Sequence, residues 1–244
     1  MPSALSSYFE ESRTPLSNLV FYVPWLILYE LGLVLSRDPY RNLADVWLRN
    51  VLQWAGFSQY FLLPLLSCAV LLSWHHISKQ PWKIHWHCLP GMLLECIVYT
   101  VVLIGVFRLQ QVFVSAVDNL AYAPVALSVQ AGAELTPNVH LLLTMVGAGI
   151  YEELLFRLLL LPTVVWALLR IELKNWLAYA LGVMLVSIAF AAAHSIGVEQ
   201  DWFTFAFRFL VGVVLGTVFL QRGFGVAVGA HALYNIAVAL LYSS

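Results

Sequence analysis

Between Lys174 and His194 the chain carries no charged side chain, and it repeats this pattern several times along its 244 residues. Apolar runs of about 20 residues are what a helix needs to cross the hydrocarbon of a bilayer. Within lipid every backbone amide must be satisfied internally, which leaves helices and closed barrels as the spanning structures. Barrel strands alternate apolar and polar residues, and these runs do not. Composition agrees: 61% of residues are hydrophobic and 10% charged, whereas a soluble domain carries about a quarter charged residues. The sequence therefore predicts an all-α, polytopic transmembrane helical bundle with the lipid bilayer as its surroundings.

Seven spans are expected, over 16–35, 59–75, 91–113, 139–161 (with a helix able to run on to 169), 176–195, 202–220 and 226–242. In 40-YRNLADVWLRNVLQWAGF-57, residues Leu43, Val46, Trp47, Val51 and Trp54 share one helical face, with Arg41, Asp45 and Arg49 elsewhere. That pattern predicts an amphipathic helix lying in the plane of the interface. The stretch 114–138, with Pro124, Gly132 and Pro137, reads as a loop or re-entrant piece, and QRGFG at 221–225 as a tight turn. No internal repeat divides the chain, so 1–244 is expected to form a single membrane-embedded domain.

The N-terminus, MPSALSSYFEESRTP, lacks the basic start and cleavage site of a signal peptide, so the first span is expected to be retained. Arg13, Lys79, Lys83, Arg170, Lys174 and Arg222 fall on the N-terminal side of the membrane, against Arg37, Arg41 and Arg49 on the other. The positive-inside rule then predicts a cytoplasmic N-terminus. A net charge of −1 with no basic cluster gives no footprint for nucleic acid. Cys68, Cys88 and Cys96 are an odd set in or beside apolar runs, which suits small buried residues better than disulfides or a zinc site.

Charge inside a span is costly, so each ionisable residue there is a functional hypothesis. In 147-GAGIYEELLFRLLLLP-162, Glu153 and Arg157 are four apart and can pair on one helix face. Glu152 lies about 100° round the helix and has no such local partner. Further along, 190-FAAAHS-195 places His194 one turn after Phe190, and 231-HALYN-235 places His231 and Asn235 on one face. Counting at 1.5 Å per residue puts Glu152 and His194 at one height on antiparallel helices; His231 joins them if the 170 end of a helix about 46 Å long protrudes. The bland reading is that such residues are struts: a buried histidine often only bonds a neighbouring helix. Glu30, Glu95, Arg108 and Arg208 are read that way here. A free acid, an imidazole and a His/Asn donor pair at reachable depths point beyond struts, to acid–base chemistry.

Taken together, EExxxR (Glu152, Glu153, Arg157), FxxxH (Phe190, His194) and HxxxN (His231, Asn235) resemble the CPBP family of intramembrane proteases, also called Abi or CAAX-protease-related. The resemblance covers roughly 139–240, which would be the catalytic core. It implies that Glu152 and His194 hold and activate a water, with Glu152 as general base. His231 and Asn235 would form the oxyanion hole, and Glu153 and Arg157 would orient the site. A glutamate in an apolar pocket suits proton abstraction, and paired donors suit a tetrahedral oxyanion. The family has also been described as zinc-dependent; the sequence has no HExxH, and Asn235 fits an oxyanion donor better than a zinc ligand, so no metal or cofactor is expected, with zinc as the alternative. The expected partner is a membrane-anchored protein or peptide substrate, and the expected location the inner membrane of a prokaryotic cell. The competing readings are a proton-coupled transporter using Glu152, Arg157 and His194 as a relay, and a non-catalytic scaffold of the same fold.

Overall fold

The computed structural model of the chain describes residues 4–35, 41–121, 139–195 and 202–241. Every regular element among them is helical: α1 (Ala4–Ser12), α2 (Pro15–Leu35), α3 (Leu43–Trp54), α4 (Leu62–Ile77), α5 (Leu89–Ala121), α6 (Val139–Glu153), α7 (Leu161–Arg170), α8 (Asn175–Ala193), α9 (Trp202–Arg222) and α10 (Phe224–Leu241). Five helical stretches are long and apolar enough to cross a membrane: Pro15–Leu35, Trp86–Phe113, Asn175–Ala193, Trp202–Arg222 and Phe224–Leu241. The chain is thus an integral membrane protein. The other two expected spans are also helical, but α4 is shorter, and the 139–170 rod is interrupted by a π-helical stretch, Leu154–Leu160, between α6 and α7. Pro162 opens α7 and has no amide to offer the preceding turn, which accounts for irregular helix at this place.

α10 is the axis of the bundle, packing against α2, α5, α6 and α9. Its Phe224, Val226, Ala227, Val228, Ala230 and Ala232 are fully buried. Small residues let helices approach closely where lipid offers no hydrophobic drive of its own. α6 and α10 cross closely. A Cβ on Gly149 would stand 2.6 Å from the Ala232 backbone nitrogen and 2.7 Å from its Cα. At the N-terminal side Gly223, with φ of 96°, turns the chain from α9 into α10, as the QRGFG reading anticipates.

One expectation is corrected. α5 continues through 114 to Ala121, where a loop was expected to begin; the remainder, 122–138, lies outside the described residues. The amphipathic helix forms as expected, as α3. Asp45 is buried against the protein, while Leu43, Val51 and Trp54 are exposed. In a membrane this is reasonable, because lipid accepts the apolar face and the protein must satisfy the charges.

Three of the four expected struts, Glu30, Glu95 and Arg208, join neighbouring elements among the described residues. Glu95 takes two hydrogen bonds from Arg222 and one from Tyr8, tying α5 to α9 and α1. Glu30 of α2 pairs with Arg49 at 3.1 Å. Arg208 of α9 donates to the His194 carbonyl at 3.0 Å. Cys68, Cys88 and Cys96 are free thiols, the last two buried. Cys88 nevertheless has polar company, lying with Glu11 and His87 in a group whose ligand atoms are all within 4.8 Å of one another.

Candidate active site

The last turn of α6 presents Glu152 and Glu153, with 6% and 0% of their surface exposed. Glu153 is a hub. Its Oε1 lies 3.1 Å from Arg157 Nη1 and accepts from His231 Nδ1 at 2.8 Å. Arg157 is itself 1% exposed and lies flat over the Phe190 ring at 4.5 Å, while its Nη2 donates to Gly212 O at 3.4 Å. The pair expected from i, i+4 spacing is therefore made, and it also reaches α8, α9 and α10.

His194 follows the last residue of α8 and turns back along the final turn, its Nδ1 2.8 Å from Phe190 O. A carbonyl oxygen only accepts, so the Nδ1 of His194 carries a proton. The neutral ring then presents the lone pair of Nε2 toward Glu152 Oε2, 3.6 Å away. The same logic applies to His231. A carboxylate paired with Arg157 accepts, so His231 donates from Nδ1, and its Nε2 faces Glu152 Oε2 at 3.8 Å. Both separations exceed a direct hydrogen bond. Two imidazoles are thus held in fixed tautomers by their far nitrogens, with their near nitrogens aimed at one carboxylate oxygen. Phe190 serves both rings, with centroids 4.7 Å from His194 and 6.1 Å from His231. The spacing of FxxxH follows from that: one residue supplies a carbonyl for the histidine and a ring for the arginine.

Glu152, His194, His231, Glu153 and Arg157 are accordingly brought together. Asn235 is not drawn into direct contact with them. It lies one turn beyond His231, partly buried, and its amide donates to Met145 O over a long 3.4 Å. Glu152 also differs from its sequence reading as an acid without a partner. Asn42, the residue that caps α3, donates from Nδ2 to Glu152 Oε1 at 3.0 Å. Nothing in local spacing signals that contact, because the two residues are 110 apart. Tyr151, one residue before, also reaches out of α6 and donates to Glu30 of α2.

Glu152 is thus a buried acid faced by two oriented imidazoles, an arrangement suited to acid–base chemistry. Residues 134–237 match the family described as Rce1-like, type II CAAX prenyl endopeptidase Rce1-like. All three motifs fall inside the matched segment, and the match agrees with the CAAX-protease resemblance. No curated protein and no solved structure matches the chain.

Proposed function

We propose that the protein is an intramembrane endopeptidase that cleaves a membrane-anchored protein or peptide with a water activated by Glu152 and His194. The observation that carries this reading is the convergence of His194 Nε2 and His231 Nε2 on Glu152 Oε2, each imidazole fixed by its Nδ1 bond. A water within hydrogen-bond reach of Glu152 Oε2 gives one proton to the carboxylate and the other, as a hydrogen bond, to the His194 lone pair. The oxygen attacks the scissile carbonyl, Glu152 holds the proton as a carboxylic acid, and the carbonyl becomes a tetrahedral oxyanion. Glu152 then returns the proton to the departing amine as the C–N bond breaks. His231, held by its Nδ1 on Glu153, would be one oxyanion donor through Nε2. Asn235 would be the second donor. Its 3.4 Å bond to Met145 O is long enough to exchange cheaply for a stronger acceptor.

Zinc is the alternative activator. The donor types fit, and ligating histidines ordinarily have their far nitrogen tethered as both do here. The spacing is less apt: among the described residues the group drawn within 4.8 Å is Glu11, His87 and Cys88 instead. An ion held by Glu152, His194 and His231 would supply a Lewis acid that acidifies its bound water.

The test is Glu152→Gln, which keeps the shape of the side chain and removes the base. Cleavage of a membrane-anchored substrate should be abolished in a protein that still folds. The inactive variant should also retain uncut substrate, which mass spectrometry of the captured protein would identify. Cleavage near the unaltered rate would overturn the assignment of the base.

A further inference from the structure

Asn42 belongs to the part of the chain that lies outside the family match, yet it makes a direct hydrogen bond to the proposed base, Nδ2 to Glu152 Oε1 at 3.0 Å. Which way its amide points is determined by its second role. As the N-cap of α3 it accepts the Ala44 backbone N–H on Oδ1 at 2.8 Å. The NH2 end is then the one left to face Glu152.

Charge helps to hold α3 in that place, beside the core packing of Ala44, Leu48 and Leu52. Asp45 accepts from Arg41 at 2.8 Å, from Arg49 at 2.6 Å and from Tyr29 at 3.0 Å. Arg49 continues to Glu30 at 3.1 Å, and Glu30 accepts the hydroxyl of Tyr151. α3 therefore grips the catalytic helix at two consecutive residues, through the Arg49–Glu30–Tyr151 chain and through Asn42 itself. With Leu43, Val51 and Trp54 turned outward, it meets Glu152 and Tyr29 with its polar residues.

We propose that Asn42 is a positioning residue of the active site, anchoring Oε1 of Glu152 so that Oε2 is held toward His194 and His231. This rests on the proteolytic reading above. The carboxylate has two equivalent oxygens and a rotatable end, and a donor on one of them decides which oxygen meets the water. Asn42 touches neither water nor scissile carbonyl, so its loss should lower turnover and leave substrate binding alone.

The experiment separates this role from helix capping. Asn42→Ser keeps a capping hydroxyl but falls short of Glu152; Asn42→Asp keeps both the cap and the shape but replaces the donor with an acceptor. Both should lower kcat by about ten- to hundred-fold, the usual effect of losing a hydrogen bond to a charged group, with KM little changed. The serine variant should stay folded with α3 capped, so that its kcat falls further than its folded fraction. Unchanged kcat in either variant, or a loss that only tracks the folded fraction, overturns the proposal. A second measurement needs no activity. Asn42→Asp sets two carboxylates together and should lower the melting temperature in detergent, and adding Glu152→Gln should restore it, because the glutamine amide can donate to the new carboxylate. Strictly additive effects would mean that the two side chains do not meet. Failure of the proteolytic reading is distinct: it would appear as cleavage surviving Glu152→Gln, while the stability cycle still decides the contact.

Discussion

Replacing Glu153 with glutamine should unfold much of the bundle's margin of stability, although it changes one atom. The carboxylate is fully buried and is the ionic partner of Arg157, itself 1% exposed. Glu153→Gln leaves that guanidinium charged and buried with the Phe190 face and one 3.4 Å bond to Gly212 O. Breaking one side of a buried ion pair costs about 3–5 kcal/mol. At roughly 2–4 °C per kcal/mol for a chain of this size, the midpoint of unfolding should fall by about 6–20 °C. The pair itself is only partly satisfied: Glu153 Oε2, Arg157 Nε and Arg157 Nη1 have no well-aligned hydrogen bond among the described residues. Its desolvation is thus poorly offset, and removing both charges together should cost far less than removing one. Glu153→Leu combined with Arg157→Met should recover most of the lost stability yet stay inactive, because His231 loses the acceptor that orients its Nδ1. Thermal unfolding in detergent, followed by intrinsic tryptophan fluorescence, measures the first effect, and cleavage of a membrane-anchored peptide measures the second. A single variant that melts with the unaltered protein would refute the reasoning, as would a double variant no more stable than the single one.

Asn235→Ala should lower turnover on the order of 10²–10³, the effect of deleting one oxyanion donor, and should change substrate binding little. Asn235→Asp should be at least as harmful, since a carboxylate would face the developing negative charge; an aspartate variant more active than the alanine one, in cleavage or in proton-coupled uptake, would favour a proton relay. Strong chelators should leave cleavage intact, with well under one zinc per chain by metal analysis; activity that disappears on stripping a stoichiometric ion and returns with it would establish the zinc mechanism. Gly149→Ala should separate α6 from α10, because the new methyl would meet Ala232 backbone atoms at 2.6 and 2.7 Å that cannot turn aside. Overpacking of this kind costs about 1–3 kcal/mol, and cleavage should fall further than stability because the Glu153–His231 bond spans the same crossing; wild-type turnover in a folded Gly149→Ala protein would show that the crossing does not position the site.

Helical class, the positions of five spans and the Glu153–Arg157 pair could be read from the chain alone, because each depends on hydrophobicity or on the 3.6-residue turn. The same periodicity put His231 and Asn235 on one face correctly, yet it could not aim them: His231 goes to Glu153, while Asn235 goes to Met145 O. Side-chain direction within a shared face is decided by what the neighbouring helix offers. α3 shows the complementary limit. Its amphipathic pattern was legible, but which face met lipid and which met protein depended on Glu30, Tyr29 and Tyr151 waiting on α2 and α6 to receive its charges. Glu152 looked solitary in sequence since its partner Asn42 lies 110 residues earlier. Local rules reach about one helical turn, whereas the Glu152 carboxylate is held by contacts across the bundle, and only the close passage of α6 past α10 and α3 brings those groups within bonding distance.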